Sequence, residues 1–227
     1  MGKVRRKTGK AKYSLVFTTT AVGRPDVIQK TYRSFSKNLV GINLKNYRLV
    51  INVDPMPNRK SAERTVEVAR TFFSDVEYRI PNKPNFTAAV QWCWSTADTR
   101  FIFHLEDDWR LTTRVKMDTL MQHFQRNLTP IQVLLRAYKY KYRKMALSPS
   151  IIRRNAYSAV NLNTSINPEI QLSAANLVSW GVEGPIARRV VVYPKKRVIV
   201  RDIGRHWLQH SGFRRPKRKS QFTKWVK

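Results

Sequence analysis

The sequence predicts one α/β domain built on a mostly parallel β-sheet, and two observations support that prediction. Through the first half of the chain, short apolar segments rich in β-branched and aromatic residues alternate with segments of helical periodicity. Such alternation is typical of parallel strands joined by crossover helices. The length of 227 residues suits one domain, and a hydrophobic fraction of 42% is enough to build a packed core.

The elements of the first half follow one another as strand, loop and helix. A basic arm at 1–12 precedes a strand at 13–20, and Gly23 and Pro25 then mark a loop. Asp26 is predicted to be the N-cap of the next helix, which extends to Leu39. The remaining predicted elements of this half are strands at 47–53, 76–80 and 101–105 and helices at 61–73 and 87–96.

The second half is less regular but continues the same domain, predicted to span 13–213. The patterns indicate a helix at 115–124, a strand at 131–135, a strand feeding a helix within 147–154, and short strands at 190–192 and 198–200. A basic tail at 214–227 ends the sequence.

The charge balance is extreme and bears on the partners. With 44 Lys and Arg residues against 14 Asp and Glu, the formal net charge is +30. Self-repulsion of that size opposes compactness, so we expect a polyanionic partner. Nucleic acid is the first candidate and an anionic membrane surface is the second.

The cysteine count and hydropathy suggest the compartment. Cys93 is the only cysteine and lies between two tryptophans, so an internal disulfide is excluded and a packed thiol is expected. No signal-peptide h-region follows the basic N-terminus, and no apolar run has the length of a membrane span. The expected location is the cytoplasm of the cell that makes the protein.

The most informative segment runs from Phe101 to Trp109, an apolar strand ending in Glu106, Asp107 and Asp108. Desolvating an unpaired carboxylate is costly, so a buried strand tolerates such a cluster only at its exit. A hard divalent cation, Mg²⁺ or Mn²⁺, would neutralise the cluster and leave positions for phosphates. The alternative is a solvated strand end, or one paired with Arg110 and Arg114.

Polar residues follow two other predicted strands. In parallel sheets, ligands bind outside the carboxyl ends of the strands. The loop at 18–24, Asp54 and the acidic cluster are therefore expected on one rim of the sheet, where they would form a pocket. The sequence contains neither a GxGxxG motif nor a P-loop lysine motif, which argues against a dehydrogenase and a Walker-type NTPase.

This order of motifs resembles the nucleotide-sugar-binding half of glycosyltransferases with the GT-A fold. The resemblance is good over 13–115 and looser over 116–213, the region that would form the acceptor half. In that family a D-x-D-type motif holds Mn²⁺ or Mg²⁺ against the donor diphosphate, and Glu106-Asp107-Asp108 occupies that place with Glu first. The resemblance implies metal binding by Asp108 and metal or ribose binding by Glu106. It also implies a set of donor contacts, namely Thr19, Thr20, Arg24, Asp54 and Asn85.

The same resemblance suggests further site residues in the second half. GT-A enzymes often add a C-terminal histidine to the metal site, and His206 and His210 are the candidates; their spacing puts both on one face if the segment is helical. Glu183, in a Gly-flanked loop, resembles the acceptor-side acid that serves as the base in inverting enzymes. Asp107 is a further catalytic candidate.

The high charge favours DNA as the acceptor. Basic residues interleaved with aromatic ones suit phosphate contacts and base stacking. A GT-A-like chain with this composition resembles the phage glycosyltransferases that modify hydroxymethylated pyrimidines in DNA. Two alternatives remain open: a peripheral membrane glycosyltransferase acting on a lipid-linked or glycan acceptor, and a non-catalytic nucleic-acid-binding protein. The predicted DNA contacts are Tyr138, Lys139, Tyr140, Lys141, Arg143, Lys144, Arg153, Arg154, Arg214 and Arg215.

Overall fold

The computed structural model describes residues 11–126, 130–137, 146–147, 149–156, 162–174 and 189–212. Strands and helices alternate through the first half, as the hydrophobic pattern predicts. In chain order the elements are β1 (Leu15–Val22), α1 (Pro25–Asn38), β2 (Leu39–Val40), β3 (Arg48–Asp54), α2 (Arg59–Phe72), β4 (Asp75–Arg79), α3 (Phe86–Thr96), β5 (Phe101–Glu106), β6 (Trp109–Leu111), β7 (Val115–Lys116), α4 (Met117–Arg126), β8 (Gln132–Leu135), β9 (Ser150–Arg153), α5 (Pro168–Ala174), β10 (Val190–Tyr193), β11 (Val200–Asp202) and α6 (Gly204–Ser211).

A seven-stranded sheet in the order β10-β8-β9-β5-β1-β3-β4 forms the centre of the described chain. Strand β1 pairs in parallel with β3 and β5, and β4 extends the parallel side. Strand β9 is antiparallel to both of its neighbours, β5 and β8. Two small sheets, β6 with β11 and β2 with β7, lie beside the large one. The predicted α/β class with a mostly parallel sheet is confirmed.

Both faces of the sheet are packed. On the face covered by α1 and α2, Phe17 of β1 stacks on Phe103 of β5 with ring centroids 4.9 Å apart. On the face covered by α3, Val16 and Ile102 pack against Cys93. Parallel strands that are buried on both faces read as continuous apolar runs, and this is why β1, β3 and β5 are easy to recognise in the sequence.

The first helix begins two residues earlier than predicted. Its first residue is Pro25, and Arg24 is at the N-cap without a side-chain cap bond, so the prediction that Asp26 is the N-cap is wrong. Proline suits the first helical position because its fixed φ is already helical and its missing N–H would have no partner there. Asp26 instead lies in the first turn, where its charge complements the helix dipole.

Other boundaries shift by local capping. The α2 helix begins at Arg59 because the side chain of Asn58 accepts a hydrogen bond from the Ser61 N–H at 2.9 Å. Residues 154–156 form a 3₁₀ turn directly after β9. The predicted Glu183 loop, the aromatic–basic segment 138–145 and the C-terminal tail lie outside the described residues.

Candidate functional site

The register of the sheet brings polar residues of three strands to one level at its carboxyl edge. Thr20 of β1 pairs with Glu106 of β5 on one side and with Asn52 of β3 on the other. Paired residues of neighbouring strands point to the same face, so these three side chains lie on the α3 face. Thr20 Oγ1 is buried and has no hydrogen-bond partner among the described residues. The rim predicted from the strand exits is therefore present.

Asp54 at the end of β3 is a buried carboxylate, with 4% of its surface exposed. Its Oδ1 accepts a hydrogen bond from Asn52 Nδ2 at 2.9 Å. Burial raises the pKa of Asp54 to about 6, although the Asn52 bond, the charge of Arg79 and the Asn85 N–H all act in the opposite direction. A carboxylate that is so poorly compensated is available to a ligand that offers a donor.

Arg79 and Trp92 complete the wall around Asp54, and the sequence reasoning missed both. The Arg79 guanidinium lies 5.0 Å from the Trp92 ring centroid, and its Nε donates to Asn52 Oδ1 at 2.8 Å. Burial lowers the pKa of Arg79. Neither residue belongs to a local motif, because β4 and α3 bring them together only in the folded chain.

Two predicted donor residues have structural partners. The side chain of Asn85 caps α3 by accepting the Ala88 N–H at 2.9 Å, and its Nδ2 donates to Thr164 O at 3.3 Å. Thr19 is fully buried, and its hydroxyl accepts a hydrogen bond from Tyr32 Oη at 2.9 Å. Because β1 side chains alternate, Thr19 faces α1 while Thr20 faces the rim. A donor contact through the Thr19 side chain is therefore contradicted.

Glu106 is the rim carboxylate with the most strongly perturbed environment. Its Oε2 accepts a hydrogen bond from Trp109 Nε1 at 2.8 Å. Burial raises the pKa of Glu106 well above its ordinary value, and the neighbouring charges of Asp108 and Glu169 raise it further. Glu169, from α5, is a carboxylate near this site that the sequence reasoning did not select.

Asp107 points to the opposite face of the sheet and forms an ion pair with Arg24. Arg24 Nη2 lies 2.5 Å from Asp107 Oδ1, and Arg24 Nε donates to Oδ2 at 3.0 Å. The Val22 N–H also donates to Oδ2, at 3.3 Å. The two side chains are only 4% and 5% exposed. These contacts satisfy Asp107 within the protein, which contradicts its selection as a catalytic residue.

Arg24 binds the acidic cluster, while its Nη1 is buried without a hydrogen-bond partner among the described residues, so the contact with donor phosphates stays a prediction. Burial alone would lower its pKa, but the charges and hydrogen bonds of Asp107 and Asp108 outweigh burial and raise it. The alternative that Arg110 and Arg114 neutralise the acidic cluster is also wrong, since neither forms an ion pair with it; Arg24, from the first loop after β1, does so.

Asp108 lies between Arg24 and the start of α6. Its Oδ2 is 3.2 Å from Arg24 Nη2, and its side chain is 15% exposed. Its carbonyl accepts the Ile203 N–H at 2.8 Å. A Cβ added to Gly204 would lie 2.2 Å from Asp108 Oδ2, so only glycine permits this contact between α6 and the carboxylate.

The two histidines do not join the carboxylates. The rings of His206 and His210 pack at a tilt of 31° with centroids 4.5 Å apart, and His210 Nδ1 is 2.8 Å from the carbonyl oxygen of His206. Within the described ranges, no three His, Cys, Asp or Glu residues lie close enough together to hold a metal ion. The predicted helical face is correct, and both histidines line a groove beside α1. Metal binding by either histidine stays a prediction.

The remaining carboxylates still fit one kind of metal site. Mg²⁺ and similar ions are commonly held by one or two carboxylates together with substrate phosphates and water. Glu106 and Asp108 form such a pair, and their mutual repulsion contributes to the raised pKa of Glu106. A cation would relieve that repulsion. The donor set therefore suits a metal that is bound jointly by protein and substrate, rather than one enclosed by protein ligands.

Of the predicted DNA contacts, only Arg153 and Arg154 lie in the described chain. Arg153 is 9% exposed and donates to the carbonyls of Pro130 and Phe124, both at 2.8 Å. It therefore stabilises the connection between α4 and β8, and a DNA contact is contradicted. Arg154 lines a small cavity of about 300 Å³ with Arg100, next to the amino end of β5 and away from the rim.

Comparisons with known proteins identify the fold. No protein-family model matches the sequence, and no curated protein matches it significantly. The structure of S. aureus TarS 1-349 superposes with a TM-score of 0.56 at 13% identity, over 82% of this chain and 59% of that one. The mannosyltransferase PcManGT from Pyrobaculum calidifontis, in complex with GDP-Man and Mn²⁺, superposes with a TM-score of 0.57 at 10% identity, over 85% and 62%.

The fold is that of GT-A glycosyltransferases. The chain spans less than two thirds of the length of either structure. No helix in the described ranges combines the length and the apolar character that crossing a bilayer requires.

Proposed function

We propose that this chain is a metal-dependent glycosyltransferase that takes a sugar from a nucleotide-sugar donor. The observation that carries the proposal is the pair of neighbouring carboxylates, Glu106 and Asp108, on the same rim of the sheet as Asp54. The matched structures support it, since PcManGT is described with GDP-Man and Mn²⁺, and TarS with UDP and with UDP-GlcNAc.

The base of the donor would bind between Asp54, Arg79 and Trp92. Uracil presents one N–H donor between two carbonyl acceptors, which a carboxylate and a guanidinium can satisfy together, and an indole ring offers a stacking surface. Asp54 must be ionised to accept the N–H. Its carboxylate is buried in the free protein, so a donor of this kind would replace missing solvation. UDP-sugars are the donors that this chemistry favours.

The diphosphate would then extend toward Glu106 and Asp108, which would hold Mn²⁺ or Mg²⁺. When bound, the metal supplies positive charge that stabilises the departing nucleoside diphosphate. The protein keeps these two carboxylates at the end of β5 through the Trp109 hydrogen bond to Glu106 and the packing of Gly204 against Asp108. Thr20, with its unpaired hydroxyl, would contact the donor from β1.

An inverting reaction also needs a base that removes the proton of the acceptor hydroxyl. Glu183 remains the prediction from the sequence. Glu169 is a second candidate, because its charge contributes to the raised pKa of Glu106 and it therefore lies near the rim. Its Oε1 accepts the Leu147 N–H at 3.0 Å, which leaves Oε2 for the acceptor.

DNA carrying hydroxymethylated pyrimidines is the acceptor we propose, and the support is the net charge of +30. A peripheral membrane enzyme with a lipid-linked acceptor is the competing possibility. A cytoplasmic location remains a prediction from the sequence.

Donor turnover is the experiment that tests the proposal. The protein is incubated with Mn²⁺ and UDP-glucose or other nucleotide sugars, with and without hydroxymethylpyrimidine DNA, and release of the free nucleotide is followed. We expect release that is stimulated by the modified DNA and is lost in Asp108→Ala. The control is Asp98→Ala, which removes an exposed carboxylate paired with Arg48 and should retain activity.

The outcomes separate the alternatives. Turnover that is indifferent to DNA would keep the glycosyltransferase and move the acceptor to lipid, glycan or protein. Full activity in Asp108→Ala would remove the metal-site assignment. No turnover with any nucleotide sugar would contradict the proposal as a whole.

A further inference from the structure

A large cavity in the described part of the chain lies on the α1 side of the protein rather than at the rim. It is a groove of about 1310 Å³ between α1, the β6–β11 ribbon and α6. Its lining includes five exposed cationic side chains against the two acids Asp26 and Asp202; we call it the basic groove. The five cations are Lys30, Arg33, Lys37, Arg110 and Arg201.

The cations of α1 form a stripe. Lys30, Arg33 and Lys37 are separated by three and four residues, so they lie on one face of the helix. Like charges at this spacing repel each other and destabilise a helix. The exposed surface of α2 is arranged differently, because Arg59 pairs with Glu63 at 3.3 Å and Arg70 with Glu67 at 2.7 Å. None of the three α1 cations forms an ion pair with a described acidic residue.

A second like-charge arrangement lines the opposite wall. Arg110 of β6 and Arg201 of β11 are directly paired in the antiparallel ribbon. Like charges at directly opposed positions destabilise a β-ribbon. Neither arginine forms an ion pair with a described acidic residue, although Asp202 is adjacent; Asp202 instead bonds to the Gly204 N–H at 2.9 Å and to Arg205. Two independent elements thus concentrate uncompensated positive charge in one concave surface.

We propose that the basic groove binds the phosphate backbone of a nucleic acid strand. The proposal adds a binding surface for the DNA acceptor to the proposed function. It rests on the proposed function only for the statement that the bound DNA accepts a sugar. A groove that follows a charged backbone beside an aromatic ring is typical of proteins that bind nucleic acid strands. The half-buried Trp207 lines the groove and supplies such a ring.

The shape and composition of the groove favour nucleic acid over a membrane. The stripe from Lys30 to Lys37 covers seven residue steps, about 10 Å at roughly 1.5 Å per residue, which matches about three phosphate-to-phosphate intervals of roughly 3.4 Å along one DNA strand. A bilayer surface is flat and binds peripheral proteins through exposed apolar side chains beside the basic ones. The large hydrophobic side chains exposed in the described ranges are Tyr78, Ile166 and Ile170, and none of them lines the groove.

The experiment compares two charge-removing pairs with the same residue types and spacing. Arg33→Gln with Lys37→Gln removes part of the α1 stripe. Lys60→Gln with Arg64→Gln removes an equally exposed Lys and Arg four residues apart on α2. Binding of a fluorescein-labelled oligonucleotide is measured by anisotropy at increasing KCl, without metal or nucleotide sugar, so a failure of catalysis cannot affect the result.

We expect the α1 pair to weaken binding and to reduce the slope of log K against log[KCl] by roughly 1.5, about 0.7 to 0.9 for each lost phosphate contact. The α2 pair should change the slope much less. Arg110→Gln with Arg201→Gln should reduce the slope like the α1 pair. Neither groove variant should lower the melting temperature, because each removes a like-charge repulsion.

Equal slopes for the α1 and α2 pairs would overturn the proposal, since the binding would then depend on net charge alone. Vesicles of phosphatidylglycerol provide the second arm. If the α1 pair loses vesicle binding but keeps oligonucleotide binding, the groove binds lipid and the nucleic acid proposal is wrong.

Discussion

Glu106 and Asp107 are consecutive carboxylates at the end of β5 with opposite environments. Asp107 faces α1, where Arg24 and the Val22 N–H satisfy both of its oxygens. Glu106 faces α3, where burial and the charges of Asp108 and Glu169 raise its pKa. One residue step along a strand reverses the face, so adjacent acids meet different partners.

This difference distinguishes a carboxylate that stabilises the fold from one that is available to a ligand. The buried ion pair with Arg24 holds the first loop after β1 against the strand exit, and it leaves neither oxygen of Asp107 without a hydrogen bond. The acids on the α3 face, Asp54 and Glu106, are incompletely compensated and gain stabilisation when a cation or a donor group arrives. The α3 face is therefore where we expect chemistry.

The largest effect should come from removing the charge that compensates Asp107. Arg24→Met leaves a buried carboxylate without its partner, and we expect the free energy of unfolding to fall by about 3–5 kcal/mol. The measurement is urea unfolding followed by tryptophan fluorescence. The exposed Arg59→Met, which breaks the pair with Glu63, should cost no more than about 1 kcal/mol.

A double variant tests whether the ion pair is the cause. Arg24→Met combined with Asp107→Leu removes both charges and should be more stable than Arg24→Met alone. A double variant as unstable as the single one would show that Arg24 acts through another contact, such as its position 5.2 Å from the Trp207 ring centroid.

A smaller effect, of opposite sign, is expected at Asp54. Its pKa in the folded protein is about 6, above the ordinary value of 3.8, so the folded state holds the proton more tightly than the unfolded state does. The resulting destabilisation is absent below the ordinary pKa and increases as the pH rises through about 6. At neutral pH it is on the order of 3 kcal/mol.

Asp54→Asn should therefore gain stability relative to the original protein as the pH rises from about 4 to above 6, while losing affinity for a uridine nucleotide. The measurements are urea unfolding across that pH range and calorimetric titration with UDP. Asp75→Asn, at the exposed start of β4, controls for the loss of one charge. A stability difference that does not vary with pH would contradict the raised pKa.

The fold and part of the site could be predicted because their signals are local. Strand β5 is an apolar run that ends in three acids, and parallel pairing then places its exit beside those of β1 and β3. Asp54 is the last residue of β3, so its place on the rim also follows from the strand order. These inferences need only periodicity and the rule for carboxyl ends.

The different roles of the acidic residues could not be predicted from the sequence. Arg24 and Asp107 are 83 residues apart in the sequence, and nothing near either residue indicates the pairing. The spacing of His206 and His210 correctly indicates one helical face, but how α6 packs decides what that face meets. Glu169 and Arg79 belong to no motif. Tertiary contacts determine all of these roles.

The smallest effect is expected at Gly204, which packs against the Asp108 carboxylate. In Gly204→Ala the new Cβ would lie 2.2 Å from Asp108 Oδ2 and 2.9 Å from its Cβ and Cγ, so the carboxylate must turn away or α6 must shift. We expect a loss of about 1–2 kcal/mol in the free energy of unfolding and weaker Mn²⁺ binding in the presence of UDP, measured by electron paramagnetic resonance.

Gly212→Ala, at the other end of α6, is the matched control: it strains a backbone with φ of 71° but meets open space. It should cost similar stability and leave Mn²⁺ affinity unchanged. Equal Mn²⁺ affinities in the two variants would mean that Asp108 does not bind the metal from the position that Gly204 maintains.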